Sequence, residues 1–141
     1  MTQSIREVMT KNPVVLSETT TATRAARAMR DSDIGDVLVV SEGDDQIQGI
    51  VTDRDIAIRV VADGADPDNV TLDQIQSRNI ATLTPDDTVE DAIRMMRDKD
   101  IRRIPIVDGG RPVGVVSLGD LAVARDTDSV LADISVAEPD E

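Results

Sequence analysis

The sequence predicts an α/β (α+β) fold in which two βαββα repeats pack sheet to sheet about a pseudo-twofold axis. Three apolar residues of the first half recur 67 residues later, and internal repetition of this kind decides the architecture. The matched pairs are Leu16 and Leu83, Met29 and Met96, and Ile34 and Ile101. Each copy also ends in the same pattern, GIVTDRD at 49–55 and GVVSLGD at 114–120. One copy is too small to bury both faces of a sheet, so the two copies are expected to share a core.

Each copy has the order strand, helix, strand, strand, helix. Short apolar strands are predicted at 13–16 and 80–83, each followed by a helix whose apolar residues recur at i, i+3, i+4 and i+7. Those residues are Ala22, Ala25, Ala26 and Met29 in the first copy, and Val89, Ala92, Ile93 and Met96 in the second. Pairs of β-rich runs come next, at 37–40 and 47–52 and again at 104–107 and 113–117. The closing helices begin near Asp53 and Leu118.

Local signals refine these elements. Asp87 and Glu90 have the spacing of a capping box before the second-copy helix. The run 37–40 is apolar at every position, which is typical of a strand covered on both faces. Pro105 indicates an edge strand or a position where no backbone donor is needed, because proline has no N–H to donate to a sheet. We therefore expect a first repeat at 1–68, a second at 69–125, and an acidic, partly disordered tail at 126–141.

The composition excludes several classes of function. The chain of 141 residues has no Cys and no His, so it lacks thiolate chemistry and the commonest metal ligand and general base. Its formal charge is −13 and it has no aromatic residue, which argues against nucleic acid as a partner. No apolar run approaches the length of a membrane span and no basic-then-apolar leader opens the chain, so no membrane association and a cytoplasmic location are expected.

With two copies of the closing pattern, the sequence resembles the tandem CBS-domain family, also called the Bateman module. The matching stretches include IGDVLVV with GIVTDRD and IRRIPIVD with GVVSLGD. The resemblance covers about residues 4–125. It implies a regulatory module that binds adenine-containing ligands in the clefts between paired repeats. Such modules often form disc-shaped dimers of four repeats.

Thr52 and Asp55, like Ser117 and Asp120, are spaced as helix caps, and from spacing alone that structural role is favoured. The resemblance adds a ligand role, which is compatible with capping. A hydroxyl that accepts a backbone hydrogen bond still has a proton to donate. An ionised carboxylate has several acceptor positions and suits the two vicinal hydroxyls of a ribose.

The resemblance also implies that each ligand site combines residues from both repeats. Site B, the favoured site, is expected to contain Ile50, Thr52, Asp55, Ala81, Ile101, Arg102 and Arg103. Site A, the weaker one, is expected to contain Val14, Ile34, Gly35, Val115, Ser117 and Asp120, with Asp36 beside Gly35. Two guanidiniums suit a phosphorylated ligand, whereas Asp36 disfavours a phosphate in site A.

We therefore expect a stand-alone CBS-pair module that binds AMP-, ADP- or ATP-like nucleotides, with or without Mg²⁺, and senses energy state or a metabolite. The response would pass through an unidentified effector protein or through assembly as a homodimer. The alternative is an interaction module whose clefts stay empty and whose main activity is homodimerisation. No obligatory cofactor, metal site or catalytic activity is expected, although a hydrolase using Asp55 or Asp120 is a remote option.

Overall fold

The computed structural model describes residues 3–128, with side chains described up to Ala124. The chain forms two compact units. Unit I consists of Asn12–Ile80 with Gly109–Pro112, and unit II consists of residues 3–11, Ala81–Asp108 and residues 113–128. Of the predicted tail, residues 126–128 belong to the last helix and residues 129–141 lie outside the described part.

Unit I follows the predicted order of elements. They are β2 (Val15–Ser17), α1 (Ala22–Ser32), β3 (Asp36–Val40), β4 (Ile47–Thr52), α2 (Asp53–Ile56) with a π-helical continuation at Ala57–Val61, and α3 (Leu72–Ile75). The sheet order is β2-β3-β4, with β2 parallel and β4 antiparallel to β3. The four apolar residues of β3 are all buried, so the predicted strand covered on both faces is confirmed.

Helix α1 packs a narrow stripe against this sheet. Its residues Ala22, Ala25 and Met29 are buried in one cluster with residues of β3, β4 and the π-helical turn. Ala26 is exposed, so its place in the predicted apolar face is wrong. The stripe follows i, i+3 and i+7, and the position next to Ala25 faces outward.

Unit II contains the second repeat. Its elements are β1 (Thr10–Lys11), α4 (Val89–Lys99), β5 (Arg103–Asp108), β6 (Arg111–Ser117) and α5 (Leu118–Asp128). The sheet order is β1-β6-β5, which confirms an edge position for the strand that contains Pro105. The predicted strand at 80–83 is wrong in extent, because only Leu83 forms a bridge, a parallel one to Ile106.

Helix α4 begins one residue later than the predicted capping box. Thr88 is the N-cap and accepts a hydrogen bond from the N–H of Asp91, whose carboxylate accepts from the Thr88 N–H, each at 3.1 Å. Hydrogen bonding to the Asp91 carboxylate, first from the Thr88 backbone N–H and then from the Thr88 side chain, holds the pKa of Asp91 below its usual value. Asp87 instead accepts from the N–H of Thr84 at 2.8 Å, so the Asp87–Glu90 box is wrong.

The compact units do not coincide with the predicted repeats 1–68 and 69–125, because the segment that precedes each copy packs on the other copy. The N–H of Ile5 donates to the backbone carbonyl of Asp87 in unit II at 2.8 Å, and the N–H of the equivalent Leu72 donates to the backbone carbonyl of Thr20 in unit I at 2.9 Å. Both apolar side chains are fully buried. The same exchange pairs Thr10 with Val115 between β1 and β6, and Ser77 with Ile50 in an isolated antiparallel bridge.

This exchange explains the glycine that opens each closing pattern. A Cβ on Gly49 would lie 2.6 Å from the carbonyl oxygen of Ser77, which crosses β4. A Cβ on Gly114 would lie 2.6 Å from the sulfur of Met9 and 3.0 Å from the carbonyl oxygen of Thr10. Only glycine admits the crossing segment at this distance.

Replacing Gly49 by Ala is expected to lower the free energy of unfolding by about 1–3 kcal/mol, because the added methyl group must displace the backbone of Ser77. Chemical denaturation followed by circular dichroism measures the change. Gly119→Ala is the matched control: it lies in α5 and its new Cβ would meet nothing closer than 3.7 Å. That variant should be neutral or gain stability from its higher helix propensity. Equal losses in both variants would contradict the crowding at Gly49.

Gln76 is a buried polar residue at a position where the first copy has Met9, 67 residues earlier. It is 6% exposed, and neither its carboxamide oxygen nor its nitrogen has a hydrogen-bond partner within residues 3–128. Gln76→Met is therefore expected to raise the free energy of unfolding by about 1–3 kcal/mol, since it removes two unsatisfied groups at similar side-chain volume. The reverse change, Met9→Gln, should destabilise the protein in the same denaturation experiment. A destabilised Gln76→Met variant would show that the amide is satisfied in solution.

Candidate functional site

Thr52 and Asp55, named here cap pair 1, stand where β4 runs into α2. The hydroxyl oxygen of Thr52 accepts a hydrogen bond from the N–H of Asp55 at 3.1 Å, and Oδ2 of Asp55 accepts from the N–H of Thr52 at 2.8 Å. The predicted capping role is thus confirmed. Each side chain keeps capacity for a ligand: the Thr52 hydroxyl has its proton to donate, and Asp55 has its Oδ1. The Asp55 side chain is 20% exposed, so this capacity is accessible.

Ser117 and Asp120, named cap pair 2, repeat this geometry between β6 and α5. The N–H of Ser117 donates to Oδ2 of Asp120 at 3.0 Å, and the N–H of Asp120 donates to the hydroxyl of Ser117 at 3.1 Å. Both side chains are half-buried. The two copies therefore present the same pair of groups with the same orientation relative to their own strand and helix.

The cap pairs differ in their charged neighbours. Nε of Arg59 lies 4.0 Å from Oδ1 of Asp55. The position four residues after Asp120 is Ala124, which is buried. Cap pair 1 therefore has an adjacent guanidinium on its own helix, and cap pair 2 has none at the equivalent place.

The helix start beside each cap pair is joined by a backbone hydrogen bond to the segment of its own copy that leads into β3 or β5. This segment, called the loop below, is Gly35 with Asp36 in the first copy and Arg102 with Arg103 in the second. The N–H of Asp53 donates to the carbonyl of Gly35 at 2.9 Å, and the N–H of Leu118 donates to the carbonyl of Arg102 at 2.8 Å. The bonds are equivalent, but the charges around them have opposite signs. In unit I the loop carries Asp36, and the Asp53 carboxylate is so close to Gly35 that a Cβ there would lie 3.1 Å from its oxygen. In unit II the loop carries Arg102 and Arg103, both exposed.

The predicted site residues divide between the two units as follows. Unit I contains Val14, Ile34, Gly35, Ile50, Thr52 and Asp55, and unit II contains Ala81, Ile101, Arg102, Arg103, Val115, Ser117 and Asp120. Within each unit the structure brings a cap pair together with the loop of the same copy. Sites A and B, which combine residues of both units, stay predictions. Arg59 was missed from the sequence, although its i+4 spacing from Asp55 is a recognisable signal for an ion pair.

Two further features bear on function. No helix within residues 3–128 is long and apolar enough to span a bilayer. In the same range, no group of three or more acidic side chains is arranged to hold a metal ion.

A family comparison agrees with the repeated cap pairs. The model of the CBS domain matches twice, at residues 5–62 and 72–126. The chain belongs to the CBS-domain family. It is a CBS pair, a regulatory module, and both the resemblance in the closing patterns and the mixed α/β fold are confirmed.

Two relatives show how far the likeness extends. The CBS domain-containing protein YhcV of Bacillus subtilis is 38% identical over 120 residues, which are 85% of this chain and 84% of YhcV. Protein MK0525 of Methanopyrus kandleri is 41% identical over 119 residues, which are 84% of this chain but 60% of MK0525. The first relative thus matches over most of both chains, and the second is longer than the match.

Solved structures share the fold. Hypoxic Response Protein I, a protein of Mycobacterium tuberculosis solved with two coordinated zinc ions, gives a TM-score of 0.76 at 31% identity and covers 85% of this chain and 97% of its own. A hexameric CBS-CP12 protein from bloom-forming cyanobacteria gives a TM-score of 0.77 at 27% identity, and the match covers 100% of this chain and 78% of that protein. The CBS pair of MJ0100, solved with 5′-methylthioadenosine and S-adenosyl-L-methionine, gives a TM-score of 0.80 at 24% identity. The match covers 92% of this chain and 100% of the MJ0100 pair. At that identity the MJ0100 match shows the fold alone.

Proposed function

We propose that this CBS pair binds an adenine nucleotide at site B and acts as a sensor of energy state or of a metabolite. The observation that carries the proposal is the charge difference between two otherwise equivalent halves. Cap pair 1 belongs with the loop of the second copy in site B, and that loop has Arg102 and Arg103. Cap pair 2 belongs with the loop of the first copy in site A, and that loop has Gly35 and Asp36.

The ribose would be bound by cap pair 1. Because Oδ2 of Asp55 is occupied by the Thr52 N–H, Oδ1 is the oxygen available to two vicinal hydroxyl groups. The Thr52 hydroxyl would donate to the ligand while it accepts from the backbone. Hydrogen bonds to an ionised carboxylate are stronger than those between neutral groups, so this contact supplies both affinity and orientation.

The phosphates would be bound by Arg102 and Arg103. Guanidinium groups match phosphate oxygens with two parallel hydrogen bonds. A local pair of arginines in a chain with a net charge of −13 marks the place where an anion is attracted instead of repelled. The adenine would lie between aliphatic side chains, those of Ile50, Ala81 and Ile101, since the chain has no aromatic residue to stack on it. Such contacts fit a micromolar affinity, about 8 kcal/mol.

Site A is proposed as the weaker site. Asp36 in its loop and the Asp53 carboxylate beside Gly35 would repel a phosphate group. A neutral or cationic adenosyl compound suits these charges better. The CBS pair of MJ0100, which shares the fold, was itself solved with two adenosyl compounds.

The experiment that tests the proposal uses the optical transparency of this protein. Without Trp, Tyr or Phe it absorbs very little near 260 nm, so equilibrium dialysis can count bound nucleotide from absorbance directly. A thermal-shift panel of AMP, ADP, ATP, NAD and S-adenosylmethionine, with and without Mg²⁺, identifies the preferred ligand. At a hundredfold excess over the dissociation constant, binding adds about 2.7 kcal/mol of stability. Absence of both bound absorbance and any shift in melting temperature would contradict the proposal.

A second candidate function is self-association. Ile58, Val61 and Leu118 are large apolar side chains that are 44%, 69% and 50% exposed on the closing helices. Exposed apolar groups of this size favour association with another protein surface. The CBS-CP12 relative is a hexamer. If sedimentation shows a homodimer while no nucleotide binds, a homodimerising interaction module is the better description.

A further inference from the structure

Arg59 links cap pair 1 to the segment that leads into the second repeat. Its Nε lies 4.0 Å from Oδ1 of Asp55, and its Nη1 donates to the carbonyl oxygen of Ile75 at 3.3 Å. The guanidinium thus lies between the free carboxylate oxygen and a backbone carbonyl of α3. Its side chain is 52% exposed, so these two polar contacts, more than burial, orient the guanidinium.

The local backbone is unusual at this point. Residues Ala57–Val61 form a π-helical turn, and the N–H of Ala62 donates to the carbonyl of Ala57 at 2.9 Å, five residues back. Turns of this kind are rare in proteins as a whole, and those that occur often lie at functional sites. The corresponding part of the second copy is ordinary helix α5, with Ala124 in place of Arg59. Both the arginine and the π turn are therefore particular to cap pair 1.

We infer that Arg59 is a positioning residue that holds the Asp55 carboxylate in the orientation required by a ribose, so that site B selects ribonucleotides over 2′-deoxyribonucleotides. This inference rests on the proposed function. The Thr52 N–H fixes only Oδ2, which leaves the carboxylate plane able to tilt about that bond. The cation 4.0 Å from Oδ1 favours one orientation of this second oxygen, which is the acceptor proposed for both vicinal hydroxyls.

The selectivity follows from the chemistry of the oriented carboxylate. A ribonucleotide offers both hydroxyls to Oδ1, whereas a 2′-deoxyribonucleotide leaves one acceptor position of a charged, half-buried group without its partner. A site built around such a group discriminates against the ligand that lacks the donor. In the absence of Arg59 the carboxylate would adapt to a single hydroxyl, and the discrimination would fall.

The test measures dissociation constants for AMP and 2′-deoxy-AMP by equilibrium dialysis on the full chain. Wild-type protein is expected to prefer AMP by about tenfold or more. Arg59→Ala should lose most of that preference, and Arg59→Lys should keep part of it, because an ammonium group preserves the charge beside Asp55. Arg54→Ala is the matched control: it removes the same charge from an exposed position on α2 and should leave the preference unchanged.

The outcomes separate this inference from the proposed function. If Arg59→Ala weakens both ligands in parallel, Arg59 only supports the fold through Ile75, and the inference is overturned while nucleotide binding stands. If wild-type protein binds both ligands equally, Asp55 does not read the diol, and the inference is again overturned. If wild-type protein binds neither ligand and no other nucleotide of the thermal-shift panel, the proposed function fails and the inference fails with it. Circular dichroism melting of each variant without ligand confirms that it is folded.

Discussion

Replacing Asp55 by Ala is expected to abolish the rise in melting temperature that AMP or ATP gives to wild-type protein. The change removes the carboxylate proposed to bind the ribose, and with it a hydrogen bond to the Thr52 N–H at 2.8 Å. The loss of that cap lowers the stability of the ligand-free protein by about 1 kcal/mol. The informative quantity is therefore the ligand-induced shift measured from each variant's own baseline.

The chain offers two matched controls for this experiment. Asp91→Ala breaks the same kind of capping box at the start of α4 and removes no member of either cap pair, so its ligand-induced shift should equal that of wild-type protein. Asp120→Ala breaks cap pair 2 and should have a smaller effect on nucleotide binding than Asp55→Ala. If Asp120→Ala removes the shift and Asp55→Ala keeps it, sites A and B are assigned in the wrong order.

The second large effect is expected from giving site B the charges of site A. The double variant Arg102→Gly, Arg103→Asp copies Gly35 and Asp36 of the first repeat. AMP affinity should fall about a hundredfold or more, because two charge-assisted contacts to phosphate are lost and a repulsion is added. Adenosine, which has no phosphate, should bind within a few-fold of its wild-type affinity.

A control for net charge is available on α4. Arg94 and Arg97 are exposed there and form ion pairs with Asp91 and Asp98. Replacing both by Ala removes two positive charges from unit II and should change AMP affinity only slightly, because both arginines are already paired with carboxylates and exposed charges are screened by salt. Parallel losses of adenosine and AMP in the Arg102 and Arg103 double variant would contradict a phosphate role for these arginines.

Much of the fold could be predicted because the chain contains two copies of the same sequence repeat. The repeat fixes which elements correspond, and the all-apolar run of β3 and the edge proline of β5 are local signals that the structure confirms. The errors are of two kinds. Both Asp87 and Thr88 are residue types that cap the start of a helix. Thr88 is the N-cap of α4, and the carboxylate of Asp87 accepts a hydrogen bond from the N–H of Thr84 instead. The segments around Ile5 and Leu72 bury themselves on the opposite copy, which no local pattern specifies.

The candidate site was predictable to the extent that it is local. The two residues of each cap pair are three positions apart in the chain, so their capping hydrogen bonds could be predicted from the sequence. The structure shows those hydrogen bonds in both copies. The neighbourhood of Arg59 depends on a π-helical turn and on the carbonyl of Ile75, which come together only in the folded unit. The tight contact at Gly49 likewise depends on a segment 28 residues later, at Ser77.

A crystal structure of the protein grown with AMP tests the central proposal most directly. We expect one well-occupied nucleotide whose two ribose hydroxyls donate to the carboxylate of Asp55 and whose phosphate accepts from Arg102 or Arg103. A nucleotide bound away from Asp55, or no nucleotide at a saturating concentration, would contradict it.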